Sequence, residues 1–208
     1  MSDEVLKEMD YYQRIAENFQ QAIELIAMSV DSLADPIEKG SQLMTEALLQ
    51  DRKIIACGNG PDGALAQLLV CNLLNRFEHE RPALPAISLG LDAASLTAIA
   101  TSSDIDDIFA RQIGALGHSG DILVCLASGS LHNNLIRGIQ AAKDRNMSVV
   151  VLTNSDNNIQ LGQLLSDQDL ELSVDAARQP RIIEIHTMII QCLCEMIELS
   201  LFGSYDQE

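Results

Sequence analysis

The sequence predicts a doubly wound α/β domain on a five-stranded parallel sheet, with additional helices at both ends. Three observations carry this. Short apolar runs recur at 53–57 (KIIAC), 85–89 (PAISL), 121–127 (DILVCLA), 148–153 (SVVVLT) and 169–174 (DLELSV). Helical patterns separate them at 62–76, 92–116 and 131–146. The runs are apolar nearly throughout rather than alternating, as strands buried on both faces of a helix-covered parallel sheet must be.

The elements follow in order. Leu6, Met9, Tyr12, Ile15, Phe19, Ala22, Ile23 and Ile26 fall at helical spacing, which predicts an amphipathic helix over residues 4–33. A second helix is predicted from Asp35-Pro36 to about Leu49, with Pro36 in its first turn. Residues 1–50 then form an N-terminal helical hairpin serving oligomerisation, and 51–208 the α/β domain, in one compact unit. The 92–116 segment reads as two helices, and a weaker helical turn is expected near 158–165. A last helix runs from Pro180 to about Phe202 and is apolar around much of its circumference. Such a helix is buried on several sides, which in a chain of 208 residues points to a subunit interface.

Composition narrows the function. A formal charge of −17 excludes a basic nucleic-acid footprint, so no direct nucleic-acid contact is expected. No basic segment followed by an apolar one suggests a secretion signal, and the apolar stretches are too interrupted to span a bilayer. Five cysteines in apolar settings, Cys57, Cys71, Cys125, Cys192 and Cys194, read as reduced thiols of a cytoplasmic protein. Cys192 and Cys194 lie two apart on a helix and face apart, so they read as packing residues.

Ligands of an open parallel sheet bind beyond the carboxyl ends of its strands. Two strand-to-helix turns stand there, CGNGPDG at 57–63 and ASGSLHNN at 127–134. Each sets small residues before a helix N-terminus, where amide N–H groups favour an anion. Either one alone is equally a tight turn with a polar cap.

Together, these features resemble the SIS (sugar isomerase) domain family over nearly the whole chain. CGNG at 57–60, NRFEHERPALPAISL at 75–89, LTAIA at 96–100, ALGHSGD at 115–121 and RIIEIH at 181–186 carry the likeness. Within the family the chain is similar to the branch of phosphoheptose isomerase and the DnaA initiator-associating protein DiaA, and NRFE-x-ERP and the ending LCEMIELSLFG favour the latter. The resemblance implies a flavodoxin-like sheet, a homotetramer and a phosphosugar pocket lined by Gly58, Asn59, Gly60, Ser128, Gly129, Ser130 and His132. No cofactor is expected.

The isomerase pattern is altered at four positions. Similar isomerases use a Glu and a His as acid and base, and can hold zinc with a His, that Glu, a Gln and the second His. Those positions fall on Leu68, Asn72, Ile183 and Gln191 here. Leu68 and Ile183 cannot bind a metal, and the Asn72 and Gln191 amides do not titrate near neutrality. No metal site and no catalytic residue are therefore assigned. The first loop carries Pro61 and Asp62, where Pro61 lacks an N–H and Asp62 is expected to cap its own helix.

The remaining candidates have plainer readings. His132 opens a helix beside the pocket and reads as a surface residue or a base. His186, two residues from Glu184, reads as a satisfied buried histidine, His118 as a turn residue and His79 as solvent-exposed. Asp104, Asp106 and Asp107 read as a helix start rather than a metal cluster. Two functions follow from the resemblance. One is a DiaA-like assembly protein that binds the replication initiator DnaA through Leu201 and Phe202 as partner anchor. The other is a sedoheptulose 7-phosphate isomerase or a non-catalytic phosphosugar sensor.

Overall fold

A computed structural model describes residues 11–203. The described chain forms a five-stranded, all-parallel sheet in the order β2-β1-β3-β4-β5. The strands are β1 (Ile54–Gly58), β2 (Ala86–Ser88), β3 (Ile122–Ala127), β4 (Ser148–Asn154) and β5 (Leu170–Val174). All five fall within the apolar runs or one residue beyond them. Seven α-helices surround them among the described residues: α1 (Tyr11–Leu49), α2 (Pro61–Leu74), α3 (Ala93–Ser102), α4 (Ile108–Leu116), α5 (Asn133–Asp144), α6 (Asn158–Leu161) and α7 (Gln179–Phe202).

The sheet separates two cores because successive side chains of a strand point to opposite faces. Ile54, Ala56, Val124, Val150 and Leu172 face α1, α2 and α7. Ile55, Cys57, Leu123, Cys125 and Val151 face α4, α5 and α6. α7 is long and apolar enough to cross a membrane by length and composition. Ile182, Ile185, Ile189, Ile190, Leu193 and Ile197 are instead buried in the first core.

The N-terminal hairpin is corrected. Tyr11–Leu49 is one 39-residue helix with Pro36 inside it, and Leu6 and Met9 lie outside the described residues. A proline in a helix interior removes one hydrogen bond and crowds the carbonyl four residues back, at a cost of about 3 kcal/mol. Packing offsets this, because the buried stripe stays in helical register from Leu33 on one side of Pro36 to Gly40, Ser41, Met44 and Leu48 on the other. That stripe lies against α7 and β5. Gly40 marks the closest approach, since a Cβ there would stand 3.1 Å from Leu170 and 3.3 Å from Leu193. The half of α1 before Pro36 leaves Tyr12, Ile15, Phe19 and Ile23 exposed.

Candidate functional site

The strand order reverses between β1 and β3, and in such sheets the crevice at this switch point takes the ligand. Both sequence-identified loops flank it, 58–61 running from β1 into α2 and 128–132 from β3 into α5. Gly58 is obligatory, because a Cβ would stand 2.6 Å from the Asp62 carbonyl carbon. Gly60 has φ +53°, a left-handed conformation that glycine tolerates. Pro61 opens α2, where no amide donor is needed.

Side chains lock the loops together. The Asn59 and Asn134 amides bond reciprocally, Asn59 Nδ2 to Asn134 Oδ1 at 3.0 Å and Asn134 Nδ2 to Asn59 Oδ1 at 2.8 Å. The Ser128 N–H donates to Asp62 Oδ2 at 3.0 Å. The expected self-cap by Asp62 is thereby corrected. α2 has no side-chain cap, since its N-cap is Gly60, and the Asp62 carboxylate instead reaches across to the end of β3. Among the described residues Asp62 is 4% exposed, its Oδ1 has no hydrogen-bond partner, and no lysine or arginine pairs with it.

The second loop rests on amides from the end of β4. Asn154 Nδ2 donates to the Ser128 and Gly129 carbonyls, both at 2.9 Å. Asn157 Nδ2 donates to the Gly129 carbonyl at 2.8 Å, and its Oδ1 accepts the Leu131 N–H at 3.1 Å. Gln179, at the start of α7, donates to Ser128 Oγ at 3.0 Å. Ser128 is thus buried and engaged, while Ser130 and His132 are exposed. His132 sits at the N-cap of α5 without a capping side-chain bond, which leaves the Asn133 and Asn134 backbone amides open while the Leu135 N–H donates to the His132 carbonyl at 3.0 Å. A cavity of about 290 Å³ lies on the β1 side, lined by Gly58, Asn59, Gly60, Gln67, Leu96 and Phe109 among others, and not by the second loop.

Sequence reasoning missed Asn134, Asn154, Asn157 and Gln179. A signal existed, since HNN at 132–134 and TNSDNN at 153–158 crowd amides directly after strands. His186 is fully buried, with Nε2 on the Thr153 carbonyl at 3.1 Å and Nδ1 unpartnered. Burial holds its pKa below the ordinary imidazole value, so it is neutral near pH 7.

The family's metal positions do not fit a metal. Leu68 and Ile183 pack against the first core, Gln191 is exposed, and Asn72 lies beside Cys194, whose thiol burial pushes up to about 12. Among the described residues, no three His, Cys, Asp or Glu side chains form a metal cluster.

Other motif residues serve the scaffold. Glu198 is buried and accepts from Arg81 Nε at 2.7 Å, the Phe77 N–H at 3.2 Å and the His79 N–H at 3.0 Å. Arg81 also donates to the Asn72 and Leu73 carbonyls, closing the C-terminal end of α2. The NRFEHERP stretch is therefore a clamp between α2 and α7. His118 donates its N–H to Asp121, and Lys53 Nζ reaches its ring at 2.9 Å. Arg137 pairs with Asp104, Asp106 and Asp107, and Asp104 caps the short turn at Ile105–Asp107. Leu201 and Phe202 are half-buried against the first core, and Arg81 stands 5.9 Å over the Phe202 ring.

Fold and site together define a doubly wound α/β protein with a paired-loop polar site at its switch point. Residues 11–154 match the SIS domain family. The phosphoheptose isomerase of Halorhodospira halophila is 42% identical over 195 residues, covering 94% of this chain and 98% of that protein. That of Aromatoleum aromaticum is 41% identical over 199 residues, covering 96% of this chain and all of that one. The solved phosphoheptose isomerase from Francisella tularensis superposes with TM-score 0.85 at 34% identity, covering 91% of this chain and 98% of that one. GmhA from Neisseria gonorrhoeae gives TM-score 0.83 at 33% identity, covering 90% and 98%. The chain belongs to the SIS domain family and, within it, to the phosphoheptose isomerase family.

These matches overturn the reading of a DnaA-binding assembly protein. Relatives about 41% identical across nearly the whole chain are named phosphoheptose isomerase, and none of these matches points to the DiaA branch. The motif residues that favoured that branch, Arg81, Glu198 and Phe202, form one internal clamp.

Proposed function

We propose that this chain is a sugar-phosphate protein of the phosphoheptose isomerase type, with a seven-carbon ketose phosphate such as sedoheptulose 7-phosphate as its ligand. The observation that carries the reading is the extent of the likeness, 41% identity over 96% of the chain to a relative named for that activity. Gly58, Asn59, Gly60, Ser128, Gly129, Ser130 and His132 form the site, with the open amides of α5 receiving the phosphate. Moving a proton between adjacent carbons needs a base, and His132 is the titratable side chain among them. A cytoplasmic homotetramer belongs to the same reading. It is supported by the exposed apolar stripe of α1 and by five free cysteines.

A specific observation favours a second reading, a ligand held without turnover. Asn72 and Gln191 carry amides where similar isomerases carry an acid and a base, and a carboxamide does not titrate near pH 7 and so cannot serve as either. One experiment decides. Purified protein is incubated with sedoheptulose 7-phosphate in D₂O and followed by proton NMR, with binding measured by calorimetry. Deuterium incorporation with aldose phosphate formation, lost in His132→Ala, marks the isomerase. Saturable binding without exchange marks the holding protein, and no binding refutes both.

A further inference from the structure

An N–H at the inner end of the second loop is already taken by an acid. The Ser128 amide, first of the second loop, donates to Asp62 Oδ2 at 3.0 Å. The carboxylate reaches it from the other loop, 66 residues away in sequence. Asp62 is 4% exposed, its Oδ1 is buried without a partner, and no cation neutralises it among the described residues. Its buried neighbours supply no positive charge either, because His186 is neutral near pH 7 and Cys57 and Cys125 are free, buried thiols. A scaffold carboxylate at this depth is normally saturated with donors, because an unpaired buried charge costs several kcal/mol. Asp62 has one amide donor and a bare second oxygen instead.

We propose that Asp62 is a resident anion of the site. It occupies the inner amide, repels a dianionic phosphate from the inner end of the loop, and leaves the exposed Ser130–His132 stretch and the open start of α5 as the seat for phosphate. Asp62 thus sets both the affinity and the charge selectivity of the site, making it a weak binder of phosphomonoesters relative to its own uncharged variant. The inference rests on the sugar-phosphate reading above and names a specificity residue of that same site.

The test compares wild type, Asp62→Asn and Asp62→Ser as full chains. Asparagine keeps an oxygen for the Ser128 amide and removes only the charge, while serine keeps a small hydroxyl should the amide disturb folding. Calorimetric titrations use inorganic phosphate, sedoheptulose 7-phosphate and the neutral sugar sedoheptulose. The expected result is affinity for both phosphates raised about ten- to a hundredfold in the variants, with the neutral sugar unchanged. Unchanged phosphate affinity in variants of a wild type that binds would overturn the inference and leave the functional reading standing. Equal gains for neutral and charged ligands would also overturn it, since the effect would be steric. No binding by any of the three proteins would refute both.

Discussion

The two ends of the sheet treat buried acids differently. At the amino end, Asp121 accepts from the Lys53 N–H, the Lys53 ammonium and the His118 N–H. Asp169 accepts from the Ser166 N–H and hydroxyl, the Val149 N–H and the Lys143 ammonium. Burial pushes both upward, yet these bonds outweigh it and hold both carboxyls below the ordinary range. Glu198, in the α2–α7 clamp, is likewise raised by burial and lowered further by Arg81 and two amides. At the carboxyl end, Asp62 has one amide and one bare oxygen. Saturation marks an acid that holds structure. Asp62 instead keeps spare capacity in a place where small residues and helix starts converge.

The contrast can be broken most sharply at Glu198. Glu198→Ala leaves the Arg81 guanidinium buried and unpaired, and should cost about 3–5 kcal/mol in urea-unfolding stability. A loss under 1 kcal/mol would remove the distinction between the two kinds of acid. Asp121→Ala comes next. It strands two backbone amides and a lysine, with an expected loss of about 2–3 kcal/mol by the same measurement.

Acid gives an independent view of the same groups. Asp121, Asp169 and Glu198 have folded pKa values below their unfolded ones. Their stabilisation is therefore fully present above about pH 5, just above the ordinary carboxylate range, and is lost as pH falls through the lower folded values. The urea midpoint should hold from neutrality to about pH 5 and then drop. A midpoint that stays flat down to about pH 3 would contradict the assignment.

The smallest effect is expected at Asp62. Asp62→Asn keeps an acceptor for Ser128 and replaces a carboxyl oxygen that has no partner, so stability should change by less than about 1 kcal/mol or rise. A loss as large as that of Glu198→Ala would make Asp62 a scaffold residue and collapse the comparison.

Much of this was legible in the sequence, and for local reasons. A strand buried on both faces must be apolar throughout, so KIIAC, DILVCLA and SVVVLT announced β1, β3 and β4 within about a residue. The glycines of CGNG announced a turn that only they can make, as the clash at Gly58 and the positive φ of Gly60 bear out. Pro36 misled because local chemistry says a proline ends or starts a helix, whereas packing of Leu33, Gly40 and Met44 on α7 and β5 carries α1 through it.

The candidate site was legible only in part. Its two loops could be read, but the state of their groups could not. Ser128 read as a free hydroxyl and is buried beneath Gln179, and Asp62 read as a cap for its own helix and instead crosses to the other loop. Leu201 and Phe202 read as a partner's anchor and pack inward beside Arg81. Periodicity and turn chemistry act over a few residues, so the sequence by itself determined the strands, the parallel sheet and the place of the loops. The Asp62–Ser128 and Arg81–Glu198 contacts join residues 66 and 117 apart. Only the tertiary structure decided which acid would be saturated and which left with an oxygen to spare, because a buried charge takes its partners from whatever the fold brings alongside it.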